Sequence, residues 1–152
     1  MTPQEFINTV KKGLEDITID FANPRPNRVY ILIDPKDIRK SAKFLFTDMK
    51  TRFSIATGID KHEGVEILYH YHSDENRIMV NIKTLVKKPD LEIDTVSDII
   101  WGTNWIEREL HEFLGVNFKD HEDLRRLLLS DDWPEGSYPY RRDFKPEPGS
   151  GQ

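Results

Sequence analysis

The stretch RFSIATGIDKHEGVEILYHYHSDENRIMVNIKTLVK, residues 52–87, decides the fold class, because three strand patterns follow one another in it. In each pattern every second residue is apolar or β-branched, which is typical of a strand with one buried face. The separators DKHEG and SDEN have hairpin lengths. We therefore predict an antiparallel meander whose buried face carries Phe53, Ile55, Thr57 and Ile59, then Val65, Ile67, Tyr69 and Tyr71, then Ile78, Val80, Ile82, Thr84 and Val86.

Helix and strand patterns lie on both sides of this meander. TPQE at residues 2–5 is a capping-box signature that opens a first helix. Strand patterns follow at 17–21 and 28–33, and the second is apolar on both faces, as in a central strand. Helical spacing of apolar residues returns at 34–49 and at 96–114. The predicted fold class is α+β: an antiparallel or mixed sheet with helices packed on it and an extended C-terminal arm.

Composition excludes several classes of protein. The chain has 152 residues, which is a typical size for one domain. It contains no cysteine, so this chain offers no disulfide, no thiolate nucleophile and no cysteine ligand for an iron–sulfur cluster. The net charge of −5 provides no basic field, and we expect no nucleic-acid partner. No apolar run approaches the roughly 20 residues of a membrane span, and no secretion signal opens the sequence. We expect a soluble intracellular protein.

The predicted helix at 96–114 carries two apolar stripes. One stripe, which includes Leu110 and Leu114, is expected to face the meander. The opposite stripe should be solvated, yet it contains two tryptophans among its members, which are Trp101, Trp105, Arg108 and Glu112. Two explanations remain open: a partner protein covers the tryptophans, or the C-terminal tail folds back over them.

The segment DDWPEGSYPYRRDF, residues 131–144, combines aromatic rings, arginines and prolines without a helical or strand period. Proline fixes φ and prevents helix continuation, so we predict an extended arm at 119–152 that follows a core domain at 1–118. A short helical turn is expected at LRRLLL, residues 124–129. Arginine suits partly buried pairing with carboxylates, and aromatic rings bury much area at low entropic cost. The predicted partner interface consists of Trp101, Trp105, Arg108, Arg125, Arg126, Trp133, Tyr138, Tyr140, Arg141, Arg142 and Phe144.

Few residues suggest chemistry within the chain itself. His70 and His72 share a strand face, which leaves a stand-alone metal-binding enzyme as one hypothesis, although a polar strand face explains the pair better. Glu107 and Glu109 would point roughly 160° apart on a helix, so they cannot act together as general acid and base. Ion pairing with Arg108 or with arginines of a partner is the expected role of these carboxylates. We predict no catalytic site in this chain.

The sequence WIERELHEFLGVNFKDHEDLRRLLLSDDWPEGSYPYRRDF, residues 105–144, resembles the C-terminal signature of the 30-kDa subunit family of respiratory complex I. The run WPEG at 133–136 looks more like the version in membrane-bound energy-converting [NiFe] hydrogenases. The sequence departs from the family pattern at positions that include Asp120, Glu122 and Tyr140. The matching residues are Glu107, Arg108, Glu109, Gly115, Val116, Phe118, His121, Leu124, Arg125, Arg126, Leu128, Pro139, Arg141, Arg142, Asp143 and Phe144.

The resemblance implies a cofactor-free accessory subunit of the peripheral arm of a membrane-bound, ion-translocating redox complex. Its partners would be a large subunit related to the [NiFe] hydrogenase large subunit (the 49-kDa-like subunit), iron–sulfur subunits and, through the complex, membrane subunits. Those partners would hold the [NiFe] centre or quinone and the iron–sulfur clusters. The expected location is peripheral, on the cytoplasmic side of the cell membrane. The alternative within this class is a complex I-like oxidoreductase that uses NADH or F420H2 with a quinone or phenazine, or a related sulfur reductase.

Overall fold

The computed structural model describes residues 1–146, and its centre is a five-stranded sheet in the order β1-β2-β5-β4-β3. The predicted meander is confirmed, because β3, β4 and β5 are antiparallel neighbours. Strand β2 pairs with β5 in parallel, which makes the sheet mixed. The strands are β1 (Thr18–Arg25), β2 (Arg28–Ile33), β3 (Arg52–Asp60), β4 (Gly64–Ser73) and β5 (Ile78–Lys87).

Three α-helices supply buried side chains to the same core as the sheet. Helix α1 (Pro3–Gly13) starts with the predicted capping box between Thr2 and Glu5. Helix α2 (Ile38–Ala42) lies between a 3₁₀ turn at Pro35–Asp37 and a π-helical turn at Lys43–Asp48. Helix α3 is Asn104–Leu114. A small parallel sheet joins β6 (Glu92–Asp94) and β7 (Asn117–Lys119), on either side of α3 in the chain.

The helix that the sequence places at 96–114 begins later in the structure. A 3₁₀ turn at Trp101–Thr103 precedes α3, and residues 97–99 form a turn before it. The N–H of Val96 and the hydroxyl of Thr95 donate hydrogen bonds to the carboxylate of Glu107. Because these donors bind a side chain of α3, they are not available for helical hydrogen bonds, and residues 95–96 lie outside the helix.

The predicted inward face of β3 is wrong beyond Phe53. A bulge between Phe53 and Ile55 shifts the alternation, so that Ala56 is buried while Ile55 and Ile59 are exposed. Helix α3 requires small residues here: a Cβ at Gly58 would lie 2.4 Å from Cδ1 of Leu114. The bulge turns the small residues of β3 toward α3 and leaves its isoleucines outside.

The C-terminal part of the chain contains no helix or strand between residues 120 and 146. The predicted boundary at 118/119 falls within β7, so the structured core extends to Lys119. Residues 147–152, the end of the predicted arm, lie outside the described part of the chain. Among residues 1–146, no helix combines the length and the apolar character needed to cross a membrane.

Candidate partner-binding surface

The end of α3 anchors the arm. Gly115 ends the helix in the left-handed conformation (φ 76°), where glycine carries no steric penalty. Arg141 donates from Nε to the carbonyl of Leu114 at 2.7 Å, and its guanidinium lies 4.3 Å from the centre of the Tyr138 ring. A Cβ at Gly115 would lie 2.5 Å from Arg141 and 2.8 Å from Tyr138. The absence of a side chain at Gly115 therefore lets the arm close over the helix terminus.

A carboxylate on α3 holds the segment that the sequence predicts as a helical turn. The backbone N–H groups of Leu127, Leu128 and Leu129 all donate to the carboxylate of Glu112, at 3.0, 3.0 and 2.9 Å. These donors converge on one anion instead of serving helical carbonyls, so no helical turn forms at 124–129. Beyond the place of Glu112 on the tryptophan stripe, nothing in the sequence marks this role.

Arg108, one turn earlier in α3, binds the same segment. Its Nε donates to the carbonyl of Arg125 and its Nη2 to the carbonyl of Arg126, both at 2.9 Å. The tail thus folds back over the C-terminal half of the stripe, but not over the tryptophans. Trp101 and Trp105 remain 72% and 68% exposed. Of the two open explanations, folding back accounts for Arg108 and Glu112, whereas a covering partner remains our prediction for the tryptophans.

Aromatic residues that are exposed or half-buried lie along one side of α3 and of the 3₁₀ turn before it. Trp101, Trp105 and Phe113 belong to a row with a spacing of four residues. Tyr140 of the arm stacks on Phe113, with ring centres 4.4 Å apart, and its own ring is largely exposed. We call Trp101, Trp105, Phe113 and Tyr140 the α3 ridge. Tryptophan is enriched at protein interfaces, and two exposed tryptophans in one row favour a binding surface.

The other predicted interface residues divide into two groups. Arg126 donates to carbonyls of Ser130 and Trp133, so its guanidinium serves the arm itself. The Trp133 ring stacks on the ring of Phe144, with ring centres 6.0 Å apart. These contacts of Arg126, Trp133 and Phe144 lie within the arm, whereas Arg108, Arg141 and Tyr138 hold the arm against α3 and its end. The side chains that stay accessible to a partner are those of Trp101, Trp105, Arg125, Tyr140 and Arg142.

Arg141 and Arg142 should therefore respond differently to replacement by alanine. Arg141→Ala removes the bond to Leu114 and the stacking on Tyr138, and we expect it to lower the free energy of unfolding by about 2 kcal/mol. The Arg142 guanidinium has no bonded partner within residues 1–146, because only its backbone N–H contacts Asp60. Arg142→Ala should therefore change stability by less than about 0.5 kcal/mol. Urea unfolding of both full-length variants checks this, and equal losses would contradict it.

A second carboxylate on α3 is buried inside the domain. Glu107 accepts hydrogen bonds from Thr95 and from the N–H of Val96, and His121 Nε2 lies 3.8 Å from Oε2. Burial raises the pKa of this carboxyl from 4.5 to about 7, although the hydrogen bonds from Thr95 and Val96 oppose the rise. The expected ion pair between Glu107 and Arg108 does not form, because Arg108 faces the arm. Glu107 thus joins α3 to the loop before it and lies beside the imidazole of His121.

The raised pKa of Glu107 predicts a pH-dependent stability. A carboxyl that binds its proton more strongly in the folded state stabilises the fold below pH 4.5, and this contribution is lost as the pH rises from 4.5 to about 7. The loss is about 3 kcal/mol. Urea unfolding between pH 5 and 8 should show this decline, and Glu107→Gln should flatten it. Glu109→Gln, on the outer side of the same helix, should leave the pH dependence of unfolding unchanged. A flattened pH dependence in this variant would argue against Glu107 as its cause.

The histidine pair of the metal hypothesis is engaged in protein hydrogen bonds. His70 contacts Asn81 Oδ1 through Nδ1 at 2.6 Å and Thr57 Oγ1 through Nε2 at 3.1 Å. His72 contacts Asp74 through Nδ1 at 2.6 Å. Within the described residues, no three histidine, aspartate or glutamate side chains are arranged to hold a metal ion. The geometry of this strand face gives the metal hypothesis no support.

Comparison with known proteins identifies the family. The model of the family described as "Respiratory-chain NADH dehydrogenase, 30 Kd subunit" matches residues 31–149. A subunit of the NADH-quinone oxidoreductase of Geotalea uraniireducens (strain Rf4) is 32% identical over 120 residues, which is 76% of this chain and 72% of that protein. A subunit of the F(420)H(2) dehydrogenase of Methanosarcina mazei is 28% identical over 123 residues, 79% of this chain and 77% of that protein.

Solved structures share the fold. A chain of the membrane-bound sulfane sulfur reductase, described as an archaeal respiratory membrane complex, has a TM-score of 0.78 at 24% identity, over 93% of this chain and 85% of that chain. A trypsin-resistant fragment of Nqo5 has a TM-score of 0.65 at 14% identity, over 80% of this chain and 98% of that fragment. These neighbours confirm the predicted α+β class. The chain therefore belongs to the 30-kDa subunit family of the respiratory-chain NADH dehydrogenase, whose members are subunits of complex I-like oxidoreductases.

Proposed function

We propose that this chain is a cofactor-free accessory subunit of a membrane-bound, ion-translocating redox complex, and that it docks on the large catalytic subunit. The energy-converting [NiFe] hydrogenase type is the proposed complex, supported by the run WPEG at 133–136. On this proposal the subunit is peripheral, on the cytoplasmic side of the membrane. Neighbouring subunits hold the [NiFe] centre or quinone and the iron–sulfur clusters.

The observation that carries this proposal is the α3 ridge. Two tryptophans in one helical row are about 70% exposed, and burying a tryptophan side chain removes roughly 150–250 Å² from water. A monomeric protein rarely exposes contiguous apolar area beyond a few hundred Å². The segment 121–130 passes beside the row without covering it. A permanent partner accounts for this exposure, and membership of a family of complex subunits supplies one.

A second candidate complex differs in its electron carrier. Relatives of this chain are named as subunits of NADH-quinone oxidoreductase and of F(420)H(2) dehydrogenase, and a structural neighbour comes from a sulfane sulfur reductase. A complex I-like or sulfur-reducing assembly would use the same small subunit on a related large subunit. The α3 ridge is equally suited to these assemblies, so only the partners and the electron carrier distinguish them.

Purification of the native particle through a tag on this chain tests the proposal. In mild detergent the chain should retrieve a [NiFe]-hydrogenase-like large subunit together with iron–sulfur subunits. Hydrogen evolution by the particle supports the hydrogenase type, whereas oxidation of NADH or F420H2, or reduction of sulfur, assigns the second candidate. Recovery of this chain alone, at low salt and in several detergents, would contradict both.

A further inference from the structure

Strand β3 is an edge of the main sheet. It has nine residues and pairs only with β4 within the described part of the chain. In an edge strand, the backbone N–H and C=O groups of every second residue point away from the sheet and have no strand to pair with. An unpaired row of this kind is a template for an additional strand, and natural proteins usually block it with charges, prolines, bulges or a covering segment.

The two edges of the sheet differ in this protection. Edge strand β1 contains Asp20, Pro24 and Arg25, which discourage further pairing. Residues 53–59 of β3, FSIATGI, contain neither a charge nor a proline, and their one protecting feature is the bulge between Phe53 and Ile55 at one end. Two of them, Ile55 and Ile59, are 51% and 45% exposed. The contrast indicates that another segment covers the edge of β3 in the assembled protein.

The open edge adjoins the α3 ridge. At one end of β3, a Cβ on Gly102 would lie 3.9 Å from the Phe53 ring, directly beside Trp101. Farther along, Gly58 packs under Leu110 and Leu114. Beyond that, Asp60 accepts the N–H of Arg142 at 3.0 Å, next to Tyr140. Strand and helix therefore run side by side in the same direction, so one partner can cover both.

We infer that the edge of β3 binds an extended segment of the partner polypeptide, which becomes the sixth strand of the sheet. The backbone of residues 53–59 would supply the hydrogen bonds, and a segment of about five to seven residues fits that length. Its side chains beside Ile55 and Ile59 should be apolar or β-branched, because cross-strand neighbours of this kind stabilise sheets. This inference rests on the proposed function, which supplies the partner.

A second copy of this chain is a less suitable occupant. Antiparallel pairing of two β3 strands centred on Ala56 would bring Arg52 of each copy to Asp60 of the other. Arg52 is already paired with Asp74 at 3.0 Å, and Asp60 with Lys88 at 2.7 Å. Self-pairing would therefore gain no new charge complementarity, whereas a different polypeptide can cover both the edge and the ridge.

Lysine substitution on opposite edges of the sheet provides a matched test. Ile55→Lys with Ile59→Lys places charges on the β3 edge, and Ile19→Lys places one on β1, where Ile19 is 65% exposed. Tagged chains are expressed in cells that assemble the native particle, and the partner subunits are quantified. We expect the double variant to lower partner recovery about tenfold or more and Ile19→Lys to leave it unchanged. Thermal unfolding of the isolated variants should stay near that of wild type.

Hydrogen–deuterium exchange on the wild-type protein gives a readout that does not depend on a variant folding. Amides within residues 53–59 should exchange more slowly in the particle than in the free chain. Unchanged exchange, or full partner recovery with the double variant, would overturn strand docking and leave the proposed function intact. If the wild-type chain formed a dimer and the double lysine variant did not, the edge would bind a second copy, and strand docking of a partner would also be overturned. Recovery of the wild-type chain without any partner subunit would overturn the proposed function, and this inference with it.

Discussion

Replacing Trp101 and Trp105 together by alanine is expected to abolish stable recovery of the partner subunits with this chain. Buried tryptophans at the centre of an interface cost about 2 kcal/mol or more each when truncated, so the pair should weaken association by several hundredfold or more. Both side chains are largely exposed in the free chain. The fold should therefore tolerate the change, and at Trp105, within α3, alanine is also a good helix former.

The measurement is the amount of large subunit that a tagged double variant retrieves from cells, compared with wild type. Ile19→Ala serves as the control, because it removes an exposed apolar side chain from the opposite edge of the sheet. Thermal unfolding of the isolated variants should differ from wild type by only a few degrees. Full retrieval with the tryptophan variant would show that the ridge is not the docking surface, whereas a collapse of its own stability would show that the tryptophans support the fold.

Local sequence signals account for most of the sheet and for α1. The capping box at Thr2 and Glu5 and the alternation in β4 and β5 are properties of short segments, so they can be recognised without the fold. The inward face of β3 could not be recognised in this way. Its alternation of Ile55 and Ile59 indicates a buried face, but α3 approaches closely at Gly58 and the bulge reverses the orientation.

The start of α3 and the role of its acids also depend on distant contacts. Val96 opens the predicted helix at 96–114, yet its N–H and the hydroxyl of Thr95 donate to the carboxylate of Glu107. A buried carboxylate with a raised pKa has no signature in composition or spacing. Arginine content drew attention to the arm. Whether a guanidinium binds backbone carbonyls of its own chain, as at Arg126 and Arg141, depends on how the arm folds.

Glu112→Ala is the single substitution within the domain that we expect to disturb the arm most. Three backbone N–H groups at 127–129 lose their common acceptor, and hydrogen bonds to a charged group contribute about 1.5–3 kcal/mol each when buried. Water can reach some of these donors after the change, so we expect a loss of about 3 kcal/mol in the free energy of unfolding. Urea unfolding measures it, and exchange of the 127–129 amides should accelerate.

Two further variants separate the charge of Glu112 from its shape. Glu112→Gln keeps one carbonyl acceptor in the same place and should have an intermediate stability, because three donors converge on a carboxylate better than on an amide. Glu109→Ala, on the outer side of the same helix, should alter stability by less than about 0.5 kcal/mol. If Glu112→Gln matched wild type and the 127–129 amides stayed protected in Glu112→Ala, the segment would be held by its leucines and by Arg108. The carboxylate of Glu112 would then contribute nothing to the position of this segment.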